Sequence, residues 1–388
     1  MSRFTAILFL AVASMVSPAF SADAPPGTTF LPDDIDPETG LSRSTVVRPL
    51  GTAAPMPDAR RIMPPAVRRA HIALVLPTAS PALGRLSDAV RQGFLAAAGV
   101  STGEAPPVIV TATENEGQAL LDACRHAQDT GALLIVGGLT RDGASVLAGS
   151  DCIRQPVLAL NELPGAHPPG FYSISLSLEH EARQAALLGV ESGLRSAIVI
   201  HSNSAISRRV REAFEREWSR AAGEIRRLPY SGTPEDAGEI RERIASSRGD
   251  MVFLALDATE AVAVRPYISA MLPTYATSLS VNPRAEPLVN LDLEGLRYLE
   301  MPWFIHPDHP AVMVYPRPQG LVNVEQERLY ALGIDAFRLA LLMLTAESRN
   351  PTLDGVTGRI SLEPGNHFVR QLSAAEVDGG KVIPLREP

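Results

Sequence analysis

Lysine is nearly missing from this chain. Of its 35 basic lysine and arginine side chains only Lys381 is a lysine, leaving 34 arginines. Mechanisms in which a lysine activates a neighbouring nucleophile therefore have almost no candidate. The S-x-x-K arrangement of acyl-transferring transpeptidases fails outright, because Asp378 stands three residues before Lys381. Positive charge is also in deficit. A net charge of -8 gives no electrostatic footprint for nucleic acid, so no nucleic-acid partner is expected. Long apolar runs are lacking: nothing approaches the ~18 uninterrupted apolar residues of a membrane span. No G-x-S-x-G elbow, glycine-rich phosphate loop or paired zinc-ligand motif occurs. The residues point to no enzyme, no cofactor and no metal. The fragments His306-Pro-Asp308-His309 and Asp34-Ile-Asp36 read as solvated loops that happen to carry ligand-type residues.

Cysteine is scarce too, with two residues, Cys124 and Cys152, far from any zinc or redox spacing. Their meaning depends on compartment. The N-terminus has the form of an export signal, with Arg3, an apolar run from Thr5 to Val16, and small residues at Ala19 and Ser21. Residues 1–21 are thus expected to be a signal peptide cleaved near Ser21, and the mature protein to be soluble in the periplasm. No cysteine lies near that point, so no lipid anchor is expected. In an oxidising compartment Cys124, on a helix, and Cys152, at the end of the next helix, form a candidate disulfide. Two separate buried thiols are the alternative.

What is present is a core-forming chain. Hydrophobic residues make up 45 %, and 388 residues suit roughly two domains. Residues 22–69 hold nine prolines and few bulky apolar side chains, the composition of a disordered linker. From residue 70, short apolar strands alternate with amphipathic helices. Expected strands are Ile72–Leu76, Val108–Ala112, Leu133–Val136, Val157–Leu160, Phe171–Ser175, Ala197–His201, one near Ile225, and Met251–Leu256. A loop-rich segment follows Pro283 and leads to Leu296–Phe304. A long helix runs from about Val324 to Glu347, and the tail reads as short antiparallel strands. The pattern is α/β, with parallel sheets flanked by helices and folded as two lobes. We expect lobe 1 to hold residues 70–173 plus 283–346, and lobe 2 residues 174–282 plus 347–388.

In open parallel sheets ligands sit beyond the carboxyl ends of the strands. Ser80 and Gly84 lie in the turn after the first strand, Thr140 follows the third, and Asn161 follows the fourth. All four are candidate cleft-lining residues, although small polar residues also serve turn geometry alone. Trp303, beside Pro302, is a candidate interface anchor or a core tryptophan. Arg208, Arg209 and Arg211 read as the solvated face of a helix.

Several runs carry a family resemblance: IALVLP followed by RQGFLAAA, SLEHEARQAA (Ser177 to Ala186), DLEGLRYLEMPW (Asp292 to Trp303), RLYALGIDAFRLA (Arg328 to Ala340) and LDGVTGRISL (Leu353 to Leu362). Taken in order, they resemble the type I periplasmic binding protein fold, and within it the penicillin-binding protein activators of the LppC/LpoA family. The resemblance covers residue 70 to the end. It implies two lobes with multiple crossings and a non-enzymatic regulator of peptidoglycan synthesis whose partner is a class A penicillin-binding protein. The best-known members have a helical-repeat N-terminal domain and a lipidated cysteine, neither of which is expected here. The rival reading is a periplasmic solute-binding protein for amino acids or amides, serving an ABC transporter or a sensor. In such relatives hydroxyls and backbone amides of lobe 1 hold the solute carboxylate, which would fall to Ser80, Thr140 and Asn161. Lobe 2 usually adds an aromatic before a helix and a later acid. Here the first place holds Ser204-Ala205-Ile206 and the second Leu256-Asp257.

Overall fold

His71–Leu76 is buried along its whole length, as a strand must be when helices cover both faces of a parallel sheet. In the computed structural model this strand, β1, is followed by α1 (Gly84–Val100), β2 (Val108–Ala112), α2 (Gln118–Thr130), β3 (Ala132–Gly137), α3 (Arg141–Ala148), β4 (Val157–Ala159) and β5 (Phe171–Ile174). The structure describes residues 69–385 except 104, 222, 322 and 346–350. The expected signal peptide and linker, apart from residue 69, lie outside the described residues. So does the Asp34-Ile-Asp36 fragment.

The alternation continues through α4 (Leu178–Glu191), β6 (Ser196–His201), α5 (Ala205–Ala221), β7 (Glu224–Pro229), α6 (Pro234–Ser247), β8 (Met251–Ala255), α7 (Ala258–Val264) and β9 (Thr274–Ala276). Next come the single turn α8 (Pro287–Asn290), β10 (Leu296–Glu300), two more short turns α9 (Pro302–Ile305) and α10 (Pro310–Met313), and the long α11 (Val324–Thr345). The tail forms β11 (Thr352–Asp354), β12 (Arg359–Glu363), β13 (His367–Gln371), β14 (Ser373–Asp378) and β15 (Lys381–Pro384). Three of these strands, β9, β11 and β14, are absent from the sequence reading.

Two sheets result. The first has the order β11-β12-β13-β5-β4-β3-β1-β2, the second β15-β14-β10-β9-β8-β6-β7. This corrects the expected division of the chain. Leu296–Glu300 does not complete lobe 1, because β10 pairs in parallel with β9 and antiparallel with β14 in the second sheet. Residues 352–371 do not belong to lobe 2, because β11 to β13 form a meander whose last strand pairs in parallel with β5. The physical cause is α11, which brings the chain back onto the first sheet before the tail begins. It crosses α1 backbone to backbone at two glycines. A Cβ on Gly93 would lie 1.9 Å from the Tyr330 carbonyl oxygen, and one on Gly333 would lie 2.1 Å from that of Val90. Phe94 and Phe337 then meet edge-on beside this crossing, 5.3 Å between centroids. The chain thus passes between sheets three times, at 175–177, between β10 and α11, and at Leu372.

Cys124 on α2 is bonded to Cys152, with Cα atoms 6.0 Å apart. Cys152 sits in a short 3-10 turn, Asp151–Arg154, rather than at the end of α3. Gln128 of α2 donates to the carbonyls of both Asp151 and Cys152, so this turn is held to α2 by side chain as well as sulfur. A continuous apolar core runs from Ile72, Leu74 and Phe94 of lobe 1 through Leu299, Met301 and Trp303 to Phe214, Trp218 and Phe253 of lobe 2. Among the described residues no helix is long and apolar enough to cross a membrane.

Candidate functional site

The strand ends of lobe 1 and the start of α4 enclose a cavity of about 190 Å³. Its walls include Leu139, Leu160, Leu176, Leu178, Leu329 and Leu332, and its polar lining Asn161, Glu162, Ser175, Ser177, Arg141, Glu179 and Arg209. Of the four candidate cleft residues only Asn161 lines it. Asn161 is committed to the chain itself: its Nδ2 donates to the Leu139 carbonyl, and its Oδ1 accepts from the Glu162 amide.

Ser80, Gly84 and Thr140 are not among the residues around this cavity, and each has a structural occupation. The Ser80 hydroxyl accepts from the Leu83 amide at the start of α1. Gly84 is required by crowding, since a Cβ there would stand 2.9 Å from the Thr78 carbonyl oxygen. Thr140 caps α3, accepting from the Gly143 amide. Its remaining donors go to Glu116. One carboxylate oxygen of Glu116 takes the Leu139 amide at 2.6 Å; the other takes the Thr140 amide at 2.8 Å and the Thr140 hydroxyl at 2.5 Å. Glu116 is itself buried, and Gly143 makes room for it, because a Cβ at 143 would strike that carboxylate at 2.6 Å. A helix N-terminus with free amides and a hydroxyl attracts a carboxylate. Here the chain supplies its own.

Lobe 2 offers little grip. Ser204 accepts from the Ser207 amide at the start of α5. Asp257 forms a capping box with Glu260 on α7. The charged contact across the cavity comes instead from Glu179, in the first turn of α4. Its Oε1 accepts from Arg141 Nη2 of lobe 1 and lies beside Arg209 Nε of lobe 2, each at 3.0 Å. Burial alone would raise the Glu179 pKa, but its own backbone amide and the two guanidiniums outweigh that and hold it below the usual range. Arg209 is therefore engaged rather than merely solvated. Behind it His180 lies 3.8 Å from Glu162, but burial, then the Arg183 charge, push its pKa down to about 4. At neutral pH this contact involves a neutral imidazole.

Trp303 corrects the interface reading. It is fully buried, its Nε1 donates to Glu327, and the Arg317 guanidinium lies over its ring at 4.1 Å. His309 accepts from the Ala311 amide, and among the described residues no group of three ligand-type side chains is placed to hold a metal.

Two α/β lobes joined by three crossings, with a cavity at the strand ends between them, define the periplasmic-binding-protein-like class. Residues 65–380 match the family described as "LppC putative lipoprotein", and the chain belongs to that family. A penicillin-binding protein activator LpoA from Serratia proteamaculans is 28 % identical over 318 residues, covering 70 % of this chain and 46 % of that protein. The chain spans about half the length of the curated relatives it matches. Two solved structures resemble it along their whole length. One is the C-domain of LpoA from Haemophilus influenzae, described as a regulator of PBP1A, with 24 % identity, TM-score 0.69 and 81 % of this chain covered. The other, from Chromobacterium violaceum, is described as a "putative branched-chain amino acid ABC transporter", with 33 % identity, TM-score 0.68 and 79 % covered.

Proposed function

We propose that this protein is a non-enzymatic periplasmic regulator that docks onto a class A penicillin-binding protein and promotes peptidoglycan synthesis. Family membership supports it, since curated relatives are named penicillin-binding protein activators. The observation that separates this reading from solute binding is Glu116. In a receptor for amino acids the amides of Leu139 and Thr140 and the Thr140 hydroxyl would be needed for the solute carboxylate, and here Glu116 holds all three. The cavity at these strand ends, about 190 Å³, is smaller than ligand pockets usually are. Docking shifts the enzyme between states only through tighter binding to one of them.

The experiment is a cross-linking assay with purified synthase and this protein lacking residues 1–21. Stimulation together with direct binding is the expected result. Failure of both, across the class A synthases of the host, would remove the proposal. The solute-receptor reading is favoured by the polar lining of the cavity and by the likeness to the Chromobacterium violaceum protein. Saturable thermal stabilisation by an amino acid or small amide would promote it.

A further inference from the structure

A clamshell receptor needs crossings that are loosely held, because a few terminal residues must absorb the change in φ and ψ. The three crossings of this chain are held tightly, and by buried charge. Arg328, near the start of α11, belongs with lobe 1 because α11 is fixed to α1 through Gly93 and Gly333. Its Nη2 donates to Glu300 at the end of β10 in lobe 2, at 2.6 Å, with the two side chains 7 % and 1 % exposed. Its Nη1 reaches the carbonyl of Ser278, whose amide in turn donates to the buried Glu181 of α4.

The other two crossings are tied into the same network. Arg370, on the last strand of lobe 1, donates to the carbonyl of Ser175 in the first crossing and to that of Thr357. The Gln184 amide on α4 clamps the third crossing at two points, donating to the Arg370 carbonyl and accepting from the Leu372 amide. Asp335 of α11 accepts from the amides of Val356 and Thr357 and from the Thr357 hydroxyl. Val356 closes the circuit by accepting from the amide of Trp303, in the second crossing. The apolar core passes unbroken through the same junction.

We propose that this junction is a brace rather than a hinge: the buried Glu300–Arg328 pair, with Gln184 and Arg370, holds the two lobes at one fixed orientation. The protein then presents a single rigid surface built from both lobes. The role proposed for the buried ion pair is geometric rather than stabilising, since an apolar pair of similar volume can be as stable.

The test places one spin label on each lip of the cleft, through Asn115→Cys after β2 and Asn203→Cys after β6, both exposed positions. The native cysteines are bonded to each other and do not take label. Distances are read by double electron–electron resonance without any synthase, so the outcome is independent of the docking proposal. A single narrow distribution is expected, unchanged between low and high salt and by an excess of free amino acids. E300M/R328M is expected to keep the fold while broadening that distribution at least twofold, toward longer distances. E300Q, which keeps an acceptor for the Met301 amide, is read in its place if the double variant does not fold. Two populations in the parent, or a distribution in the folded variant as narrow as the parent's, would overturn the brace.

Discussion

Glu179 and Glu181 stand two residues apart in the first turn of α4, and their environments push them in opposite directions. Glu179 faces the cavity, where two half-exposed arginines and its own backbone amide overcome burial and keep it ionised. Glu181 points into the junction. Burial is the largest influence on it and raises its pKa, although Arg370 and Arg328 pull the other way. Glu300 follows the same pattern, with burial outweighing the adjacent Arg328. The contrast shows why the cavity and the junction behave as different materials although both are arginine–carboxylate networks. At the cavity, solvent screens the charges and a broken pair rehydrates. At the junction, a broken pair leaves a charge with nowhere to go.

The largest effect that can break this comparison is expected from Arg328→Ala. It strands Glu300 and removes one of the two cations facing Glu181, so a loss of about 3–5 kcal/mol is expected, read from chemical denaturation. A loss below about 1 kcal/mol would mean that water reaches the junction, and the distinction between the two networks would fail. Glu116 sharpens the comparison, because it is buried like Glu181 yet lies against three donors. Glu116→Ala leaves two amides without their acceptor and should cost about 1–3 kcal/mol. Adding acetate or propionate should recover part of the lost Tm in the variant and none in the parent. Equal responses in the two proteins would show that the donors are not open to an anion.

The third test uses pH. Glu181 has a raised folded pKa, so the stability it contributes is complete below the ordinary glutamate value of 4.5 and is lost as pH rises through the folded value. Glu179 is lowered, so its contribution is present above 4.5 and is lost as pH falls through its folded value. Glu181→Gln, whose amide oxygen can still accept from Ser278, should therefore reduce the fall in Tm between pH 5 and pH 8. An unchanged fall would place the proton uptake elsewhere.

Much of the fold is legible in the sequence because buried parallel strands announce themselves as unbroken apolar runs, as in Ile72–Leu76 and Met251–Ala255. Sheet membership is not legible at β10. Its residues suit either sheet, and the decision is taken by pairing with β9 and β14 and by the glycine crossing of α1 and α11. Asn161 can be found because it lies just beyond the end of a strand. Glu116 is missed because its partners lie 23 and 24 residues away and a glutamate at a helix start looks like ordinary capping. Arg209 looks solvated on its own helix; only the fold brings Glu179 to it. Trp303 is ambiguous for the same reason, since Arg317 and Glu327 are 14 and 24 residues further on. Chemistry local to one strand end can be read, whereas chemistry assembled across a crossing cannot.

The smallest effect belongs to the cavity pair. Arg141 is 49 % exposed and Glu179 16 %, so removing the guanidinium exposes the carboxylate to water rather than to protein. Arg209 remains at 3.0 Å as a second partner. Arg141→Ala is therefore expected to change stability by less than about 1 kcal/mol, and by less again in high salt. Arg141 lies in lobe 1 and Glu179 in lobe 2, so the same variant asks whether the cavity side contributes to the fixed orientation of the lobes. If the junction alone sets it, the distance between labels at positions 115 and 203 will not move. A loss above 2 kcal/mol, or a broadened distribution, would transfer part of the brace from the buried network to the cleft, and Glu179 would have to be counted with Glu181 rather than against it.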